Sequence, residues 1–191
     1  MKTLTLRMLS LVALGLGATF FTTCSTVDAL DDVDFDGTIE GTINVNAPDE
    51  GTNVAYSDVV ILDAKDDPDI NQYADKIKSS TINSIGYQIT SYDGPADAKF
   101  SGTLAFGGAS QSTAAVFSAV ADFDFQAAYS SGEIFGLTFS QSDITTIQNF
   151  LQHEKAVKFY LDGTLTKTPL YCTVKIYLEV SVTAYALQFI G

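Results

Sequence analysis

The segment spanning residues 172–184 constrains the fold of this chain more than any other. Every second residue in it is apolar, and these residues are Cys172, Val174, Ile176, Leu178, Val180, Val182 and Ala184. The intervening positions carry polar groups, so the hydropathy pattern has a period of two. In an extended chain this period places all the apolar side chains on one face. The segment therefore predicts a long β-strand with one buried face.

The same alternation recurs earlier in the chain and predicts further strands. The apolar positions are Val33, Phe35, Ile39, Ile43 and Val45; Ile85, Tyr87 and Ile89; Phe100, Leu104 and Phe106; Phe117, Ala119, Ala121, Phe123 and Phe125; Phe135, Leu137 and Phe139; Val157, Phe159 and Leu161. Turn-forming pairs separate these runs, among them Ala47-Pro48, Asp93-Gly94, Gly107-Gly108, Ser131-Gly132 and Thr168-Pro169. We expect each run to be a separate strand, with a bend or bulge in the long last one.

Two segments change to a helical period. Asp67 and Pro68 form a helix start, with a capping carboxylate followed by proline at the first helical position. Ser140 and Asp143 form a capping box ahead of a second apolar stripe. The sequence thus predicts a mainly β fold, an antiparallel β-sandwich of about eight strands with two short helices. A partly open β-barrel is the alternative.

The N-terminal residues have the features of an export signal. Lys2 and Arg7 precede an apolar stretch at residues 8–21, which is shorter than the about 20 residues that span a bilayer. Cys24 follows after Thr22 and Thr23, at the position of the acylated cysteine in a bacterial lipobox. We expect a lipoprotein signal peptide at 1–23, an acidic tether at 24–32 and a single β-rich domain at 33–191. Secretion with cleavage after Ala29 and an uncleaved anchor are the alternatives.

Charge and composition exclude several classes of function. The chain has 10 Lys and Arg residues against 23 Asp and Glu residues, a net charge of −13. Arg7 is its one arginine, whereas nucleic-acid and nucleotide sites depend on cationic side chains, arginine above all. His153 is its one histidine, which excludes a metal site built from several histidines. We therefore predict no nucleic-acid or nucleotide partner, no cofactor, no catalytic residues and no enzymatic activity.

Asp32, Asp34 and Asp36 are weak candidates for a calcium site. With Gly37 they form the Asp-x-Asp-x-Asp-Gly opening of a calcium-binding loop. The last position of such a loop supplies a bidentate glutamate, but here that position is Ile43. The same aspartates also fit the polar face of a strand. The sequence therefore predicts no metal site here.

Three tyrosines are candidates for a partner or ligand face. Tyr171, Tyr177 and Tyr185 occupy outward positions of the long last strand. Because the chain has no tryptophan, a platform for stacking sugar rings would have to be built from tyrosine. A solvated or partner-covered sheet face is the simpler interpretation of these residues.

Three stretches, residues 69–78, 100–104 and 161–165, resemble uncharacterised envelope lipoproteins of Bacteroidota, flavobacterial ones in particular. The resemblance implies an all-β fold and a lipid anchor in the outer membrane, facing either the periplasm or the cell surface. We expect a non-enzymatic envelope protein, an accessory or structural subunit that contacts outer-membrane proteins. The alternative is a binding module for a glycan or a small apolar ligand. A flat apolar patch would favour the first function and a large apolar cavity the second.

Overall fold

The structure, a computed structural model, describes residues 32–185, which belong to one compact unit. Strands make up 65% of it and helices 21%, which confirms the prediction of a mainly β fold. Six antiparallel strands form one sheet that curls into a half-barrel. The fold thus corresponds to the open-barrel alternative rather than to two packed sheets.

The strands and helices alternate irregularly along the chain. The strands are β1 (Asp32–Asp63), β2 (Ile77–Asp93), β3 (Lys99–Gly108), β4 (Val116–Asp124), β5 (Phe135–Gly136) and β6 (Ala156–Tyr185). The helices are α1 (Pro68–Tyr73), α2 (Phe125–Ser131) and α3 (Gln141–Glu154), and 3-10 turns at Ala64–Asp66 and Ala74–Lys76 flank α1.

Strand β6 is the centre of the sheet. It pairs with β1 along nearly its whole length, from Asp32 opposite Tyr185 to Asp63 opposite Ala156. On its other side it pairs with β3 first and with β2 after that. The sheet therefore has two halves. The first half contains β2, β5, the part of β1 up to residue 47 and the part of β6 from residue 170. The second half contains β3, β4 and the remaining parts of β1 and β6.

A bend joins the two halves, where both long strands carry a proline. The register of β1 against β6 shifts between Ala47 and Gly51, a bulge that contains Pro48. Thr168 lies opposite, and its Oγ1 donates a hydrogen bond to the carbonyl oxygen of Asp49 at 2.6 Å. The expectation that Pro48 and Pro169 end strands was wrong, since the chain continues through both in extended form. The predicted strands at 157–161 and 172–184 are therefore one continuous strand, β6, and β1 likewise continues beyond Pro48 to Asp63, so the sheet has six strands instead of about eight.

The inner face of the sheet holds the hydrophobic core. In β6 the buried side chains are at odd positions before the bend and at even positions after it, as the alternation predicted. Side chains from both halves meet in one cluster, and the largest of those that are fully buried are Phe100, Phe106, Phe159, Ile39, Ile43, Leu62, Ile70, Ile89, Ile147, Leu165, Leu170 and Ile176.

Strand β4 has the opposite register to the predicted one over its first part. Val116 is 2% exposed, whereas Phe117 is 63% exposed, and Ala119 and Ala121 also face solvent. A bulge at Asp122, whose φ is +50°, then returns Phe123 to the inner face. The expected inward orientation of Phe117 was therefore wrong.

The two predicted helix starts are confirmed. The Asp67 carboxylate accepts hydrogen bonds from the backbone N–H groups of Asp69 and Ile70 at the start of α1. The capping box of Ser140 and Asp143 starts α3. Helix α2 was not predicted, because its first residue, Phe125, continued the alternation of the preceding strand.

Candidate functional site

Cys24, the predicted lipidation site, and the predicted signal peptide at 1–23 lie outside the described residues. Residues 32–185 contain no helix that is both long and apolar enough to cross a membrane.

The three aspartates of the calcium-like motif lie on the outer face of β1, and each contacts a different neighbour. Asp32 forms an ion pair with Lys78. Asp34 accepts a hydrogen bond from the hydroxyl of Thr183 at 2.7 Å, and Asp36 accepts one from Ser181 at 2.6 Å. Alternate residues on a strand are about 6.6 Å apart, so the three carboxylates are spread along the strand. Within residues 32–185, no group of three or more His, Cys, Asp or Glu side chains has a metal-binding arrangement.

The three tyrosines share the outer face of β6, as predicted, but they are far apart. At about 3.3 Å per residue, Tyr177 lies about 20 Å from Tyr171 and about 26 Å from Tyr185. The Lys78 ammonium lies 3.9 Å from the centre of the Tyr185 ring, and the Tyr177 hydroxyl donates to Gln88 Oε1 at 2.9 Å. The tyrosines therefore form separate positions on this face rather than one platform.

Tyr171 lies next to a shallow depression close to the bend. Its side chain is 42% exposed, and its register partners on the two neighbouring strands are Asn46 and Asp93. Amide, carboxylate and hydroxyl groups thus surround one accessible aromatic ring. The depression is lined by Asn44, Val45, Asn46, Ser91, Tyr92, Asp93, Tyr171, Cys172 and Thr173.

The outer face of the second half has a different character. Val59, Tyr160, Ala105 and Phe117 are register partners on the four adjacent strands β1, β6, β3 and β4. We call these four residues the apolar row. Its two ends are the most accessible, since Val59 is 48% and Phe117 is 63% exposed. Four strands about 4.8 Å apart give the row a length of about 14 Å.

More apolar surface lies beside the row. Ile61, 52% exposed, lies two residues beyond Val59, and Ala119 lies two residues beyond Phe117. Charged side chains border this surface. Asp162 accepts a hydrogen bond from Ser57, and the Lys158 ammonium donates to a backbone carbonyl at 2.7 Å. Ile61 lines a depression that also contains Glu40, Asp66, Asp67 and Lys175. The accessible apolar surface lies mainly at the two ends of the row, since Ala105 between them is 3% exposed.

A cavity between the inner faces of the two halves has a volume of about 20 Å³. Its lining is wholly apolar and consists of Tyr87, Ile89, Phe100, Leu104, Val120, Phe123, Phe125, Phe159, Leu161 and Val174. A volume of this size is about that of one water-sized sphere. The cavity is therefore far smaller than the several hundred Å³ of a typical ligand pocket.

The remaining reactive side chains have structural roles. Burial raises the pKa of the Cys172 thiol to about 12, which keeps it protonated and unreactive at neutral pH. His153 Nδ1 lies 2.8 Å from the Asn149 carbonyl oxygen within α3. Asp124 caps α2 through the backbone N–H of Ala127.

The sequence interpretation missed the apolar row, and the reason differs at its two ends. Around Val59 the sequence Val-Val-Ile-Leu is apolar at every position, so alternation cannot show which side chains face solvent. Around Phe117 the even-numbered and the odd-numbered residues of the strand are both apolar or small, so alternation does not distinguish the two faces. Phe117 itself lies on the outer face. Pairing with β3 determines which face the Phe117 side chain occupies, and this pairing cannot be predicted from the local sequence.

The chain matches no family model and no curated protein. Among solved structures it is similar to a chain of turnip yellow mosaic virus, determined at 100 K, with 8% identity and a TM-score of 0.34. The match covers 83% of this chain and 98% of the viral one. A likeness this weak carries no argument about the present protein.

Proposed function

We propose that the protein is a non-enzymatic, lipid-anchored envelope protein that serves as an accessory or structural subunit of an outer-membrane assembly. It contacts its partner through the apolar row and the apolar side chains beside it. The observation that carries this proposal is the exposure of Val59, Ile61 and Phe117 on one face of the sheet. Exposed apolar patches of this kind are typical of protein–protein contacts.

The interior of the domain supports a surface function rather than a cavity function. The cavity at its centre has room for about one water-sized sphere, so an apolar ligand would have to displace core side chains. An enclosed ligand site is therefore disfavoured relative to an external interface. The lipid anchor of the proposal depends on the sequence features at Lys2, Arg7 and Cys24.

The interface can be tested by lysine substitution at both ends of the apolar row. Val59→Lys and Phe117→Lys place a charge on the proposed interface, and both positions are exposed enough to leave the core unchanged. Thr81→Lys is the matched control, an exposed outward residue of the first half. The three variants and the parent chain are captured from detergent-solubilised membranes, and the bound proteins are identified by mass spectrometry.

We expect the parent chain and Thr81→Lys to retain the same outer-membrane proteins and the two row variants to lose them. Equal recovery with all four chains would overturn the proposal. A photo-reactive side chain at Phe117 gives a second readout in intact cells, since it should crosslink to the same protein while the same group at Thr81 does not.

The anchor is tested separately. If the Cys24 thiol carries the lipid, Cys24→Ala leaves the membrane fraction and takes up no labelled fatty acid. Cys172→Ala is the control, because that thiol is buried in the sheet. Unchanged membrane association of Cys24→Ala would refute the lipid anchor.

A glycan-binding module is the second candidate function, and the surroundings of Tyr171 favour it. An accessible aromatic ring beside the amides of Asn44 and Asn46 and the carboxylate of Asp93 can stack on a sugar ring and bind its hydroxyl groups. Binding of the full chain to immobilised polysaccharides tests this candidate. Tyr171→Ala should abolish any binding seen and Tyr185→Ala should not, whereas equal binding by both variants would exclude this site.

A further inference from the structure

The sheet has three strand edges, and two of them are protected against pairing with another chain. The first is the edge of β1. Pro48 and its bulge interrupt it, and acidic side chains project along it. The backbone N–H of Thr38 on this edge donates to the Asp67 carboxylate at 2.9 Å, and Ile70 packs over Gly37. Prolines, bulges and charges are the usual means of protecting a sheet edge.

The second edge, that of β2, is covered by other parts of the chain. Strand β5 pairs with it at Gly86 and Tyr87. Helix α3 binds two of its free carbonyl groups, since the amide of Gln148 donates to Ser80 O at 3.3 Å and that of Gln152 donates to Lys78 O at 3.0 Å.

The third edge, that of β4, is less protected: it carries a bulge at Asp122 and contacts α3, but residues 116–121 contain no proline and no charge. Within residues 32–185, β4 pairs with β3 on one side and with no strand on the other. No charged residue and no proline occurs between residues 107 and 121, which include the regular part of this strand. An uncharged edge with no paired strand, next to the exposed Phe117, has the features of a pairing site.

We propose that β4 pairs with β4 of a second copy of this chain, antiparallel, about a two-fold axis at Ala119. This register uses the strand from Val116 as far as the bulge at Asp122. It continues the sheet of one copy into that of the other. Phe117 then lies opposite Ala121 of the second copy on the outer face, so each large side chain meets a small one.

The distribution of charge favours the edge of β4 over the other two sheet edges for pairing with a second copy. The chain carries a net charge of −13, so two copies repel each other at most orientations. The edge of β4 carries no charge before Asp122, which the proposed register places opposite Val116 of the second copy. The two Asp122 residues are then about 20 Å apart along the strands, beyond the Debye length of about 8 Å at physiological salt.

The proposed pairing shares Phe117 with the apolar row, so Val59 is the row residue that separates the two proposals. Edge pairing leaves Val59 untouched, since Val59 lies on the opposite strand of the second half. A single pair of short strands also makes a small interface, so we expect a weak, concentration-dependent dimer.

Cysteine crosslinking tests the register directly. Ala119→Cys places two thiols opposite each other at the axis, where directly paired residues have Cα atoms 4.5–5.5 Å apart, within the range for a disulfide. Ala55→Cys is the matched control, an exposed outward alanine on β1, at the protected edge. Both variants of the full chain are oxidised with copper phenanthroline in membranes and in detergent, then run on non-reducing gels.

We expect a dimer band for Ala119→Cys that is at least tenfold stronger than for Ala55→Cys. The buried thiol of Cys172 should not contribute, and the parent chain measures any crosslinking through Cys24. Equal bands for the two variants, or none for either, would overturn the proposal.

Sedimentation of the full chain in detergent gives a second measurement. Self-association of the parent chain should increase with concentration and fall at least tenfold in Ala119→Lys, while Val59→Lys behaves as the parent. A parent chain that stays monomeric up to several hundred micromolar would overturn the proposal. Because Val59→Lys affects only the docking face, loss of the outer-membrane partner with intact dimers would separate the two proposals.

Discussion

The outer faces of the two halves of the sheet are built on the same two long strands, yet they differ in chemistry. In the first half the outward side chains bind one another across strands. Thr173 is an example, since it donates to Asn44 at 3.2 Å and accepts from Ser91 at 2.8 Å. In the second half the same strands contribute Val59 and Tyr160 to an apolar row. In the proposed function, the first face is completed within the chain and the second is the one that contacts a partner.

The two faces also differ in how acidic groups are used. On the first half, Glu40 binds Lys175 at 2.8 Å, and this carboxylate raises the pKa of the Lys175 ammonium. Such pairs are exposed and contribute little to stability, about 0–1 kcal/mol each. They do keep the face polar, hydrated and unattractive to apolar partners. A face with neither pairs nor hydrogen bonds, such as the apolar row, lacks that protection.

The largest expected effect separates inner from outer phenylalanines in the second half. Phe106 is fully buried, and its ring centre lies 5.1 Å from that of Phe159. Phe106→Ala should lower the free energy of unfolding by about 3–5 kcal/mol, as cavity-forming substitutions of phenylalanine do. Phe117→Ala should change it by less than about 0.5 kcal/mol. Urea denaturation of both variants measures this, and similar losses would show that the face of β4 is assigned incorrectly.

A smaller effect is expected where two strands of the second half come closest. A Cβ added at Gly102 would lie against the Asp162 carbonyl and 2.5 Å from the Cα of Gly163. Gly102→Ala should therefore cost about 2 kcal/mol through overpacking. Gly136→Ala in the first half is the control, because nothing lies within 4 Å of its added Cβ. Thermal melting compares them, and a loss of stability in Gly136→Ala as large as that in Gly102→Ala would argue against close packing as the cause.

The smallest effect concerns the bend that separates the two halves. Thr168 is 7% exposed and binds the Asp49 carbonyl through its hydroxyl. Thr168→Val keeps the shape but leaves that carbonyl without its donor, at a cost of about 1 kcal/mol. Thr168→Ser retains the hydroxyl and should lose less. If the serine variant is the less stable of the two in urea, packing of the methyl group matters more than the hydrogen bond.

The sequence predicts well those elements whose signal is local. The alternation from Cys172 to Ala184 places all its apolar residues on the inner face, because a strand buried on one side requires a period of two. The starts of α1 and α3 are predicted by Asp67 and Ser140, whose side chains bind backbone groups a few residues away. Helix α2 also had local signals in its capping Asp124 and in Gly132, which ends it with φ +66°.

Features that depend on long-range pairing could not be predicted. Prolines such as Pro48 and Pro169 usually mark the ends of strands. Here β1 and β6 are paired on both sides of the bend, and only this pairing shows that the strands continue. The orientation of Phe117 depends on the register of β4 against β3, since both of its alternate sets are apolar or small. The candidate docking face lies where the local pattern is ambiguous, so it could be recognised only in the folded structure.

The central position of β6 has a consequence for the order in which the domain is made. This strand is the last to be synthesised, and β1, β2 and β3 all pair with it. Until its residues have left the ribosome, the earlier part of the sheet contains only the β3–β4 pair and the short β2–β5 contact. Folding of this sheet must therefore follow the synthesis of β6, and contacts between β1 and β6 make it slow. For the envelope protein proposed above, a chain that stays unfolded until β6 is made is suited to passage through an export channel before it folds.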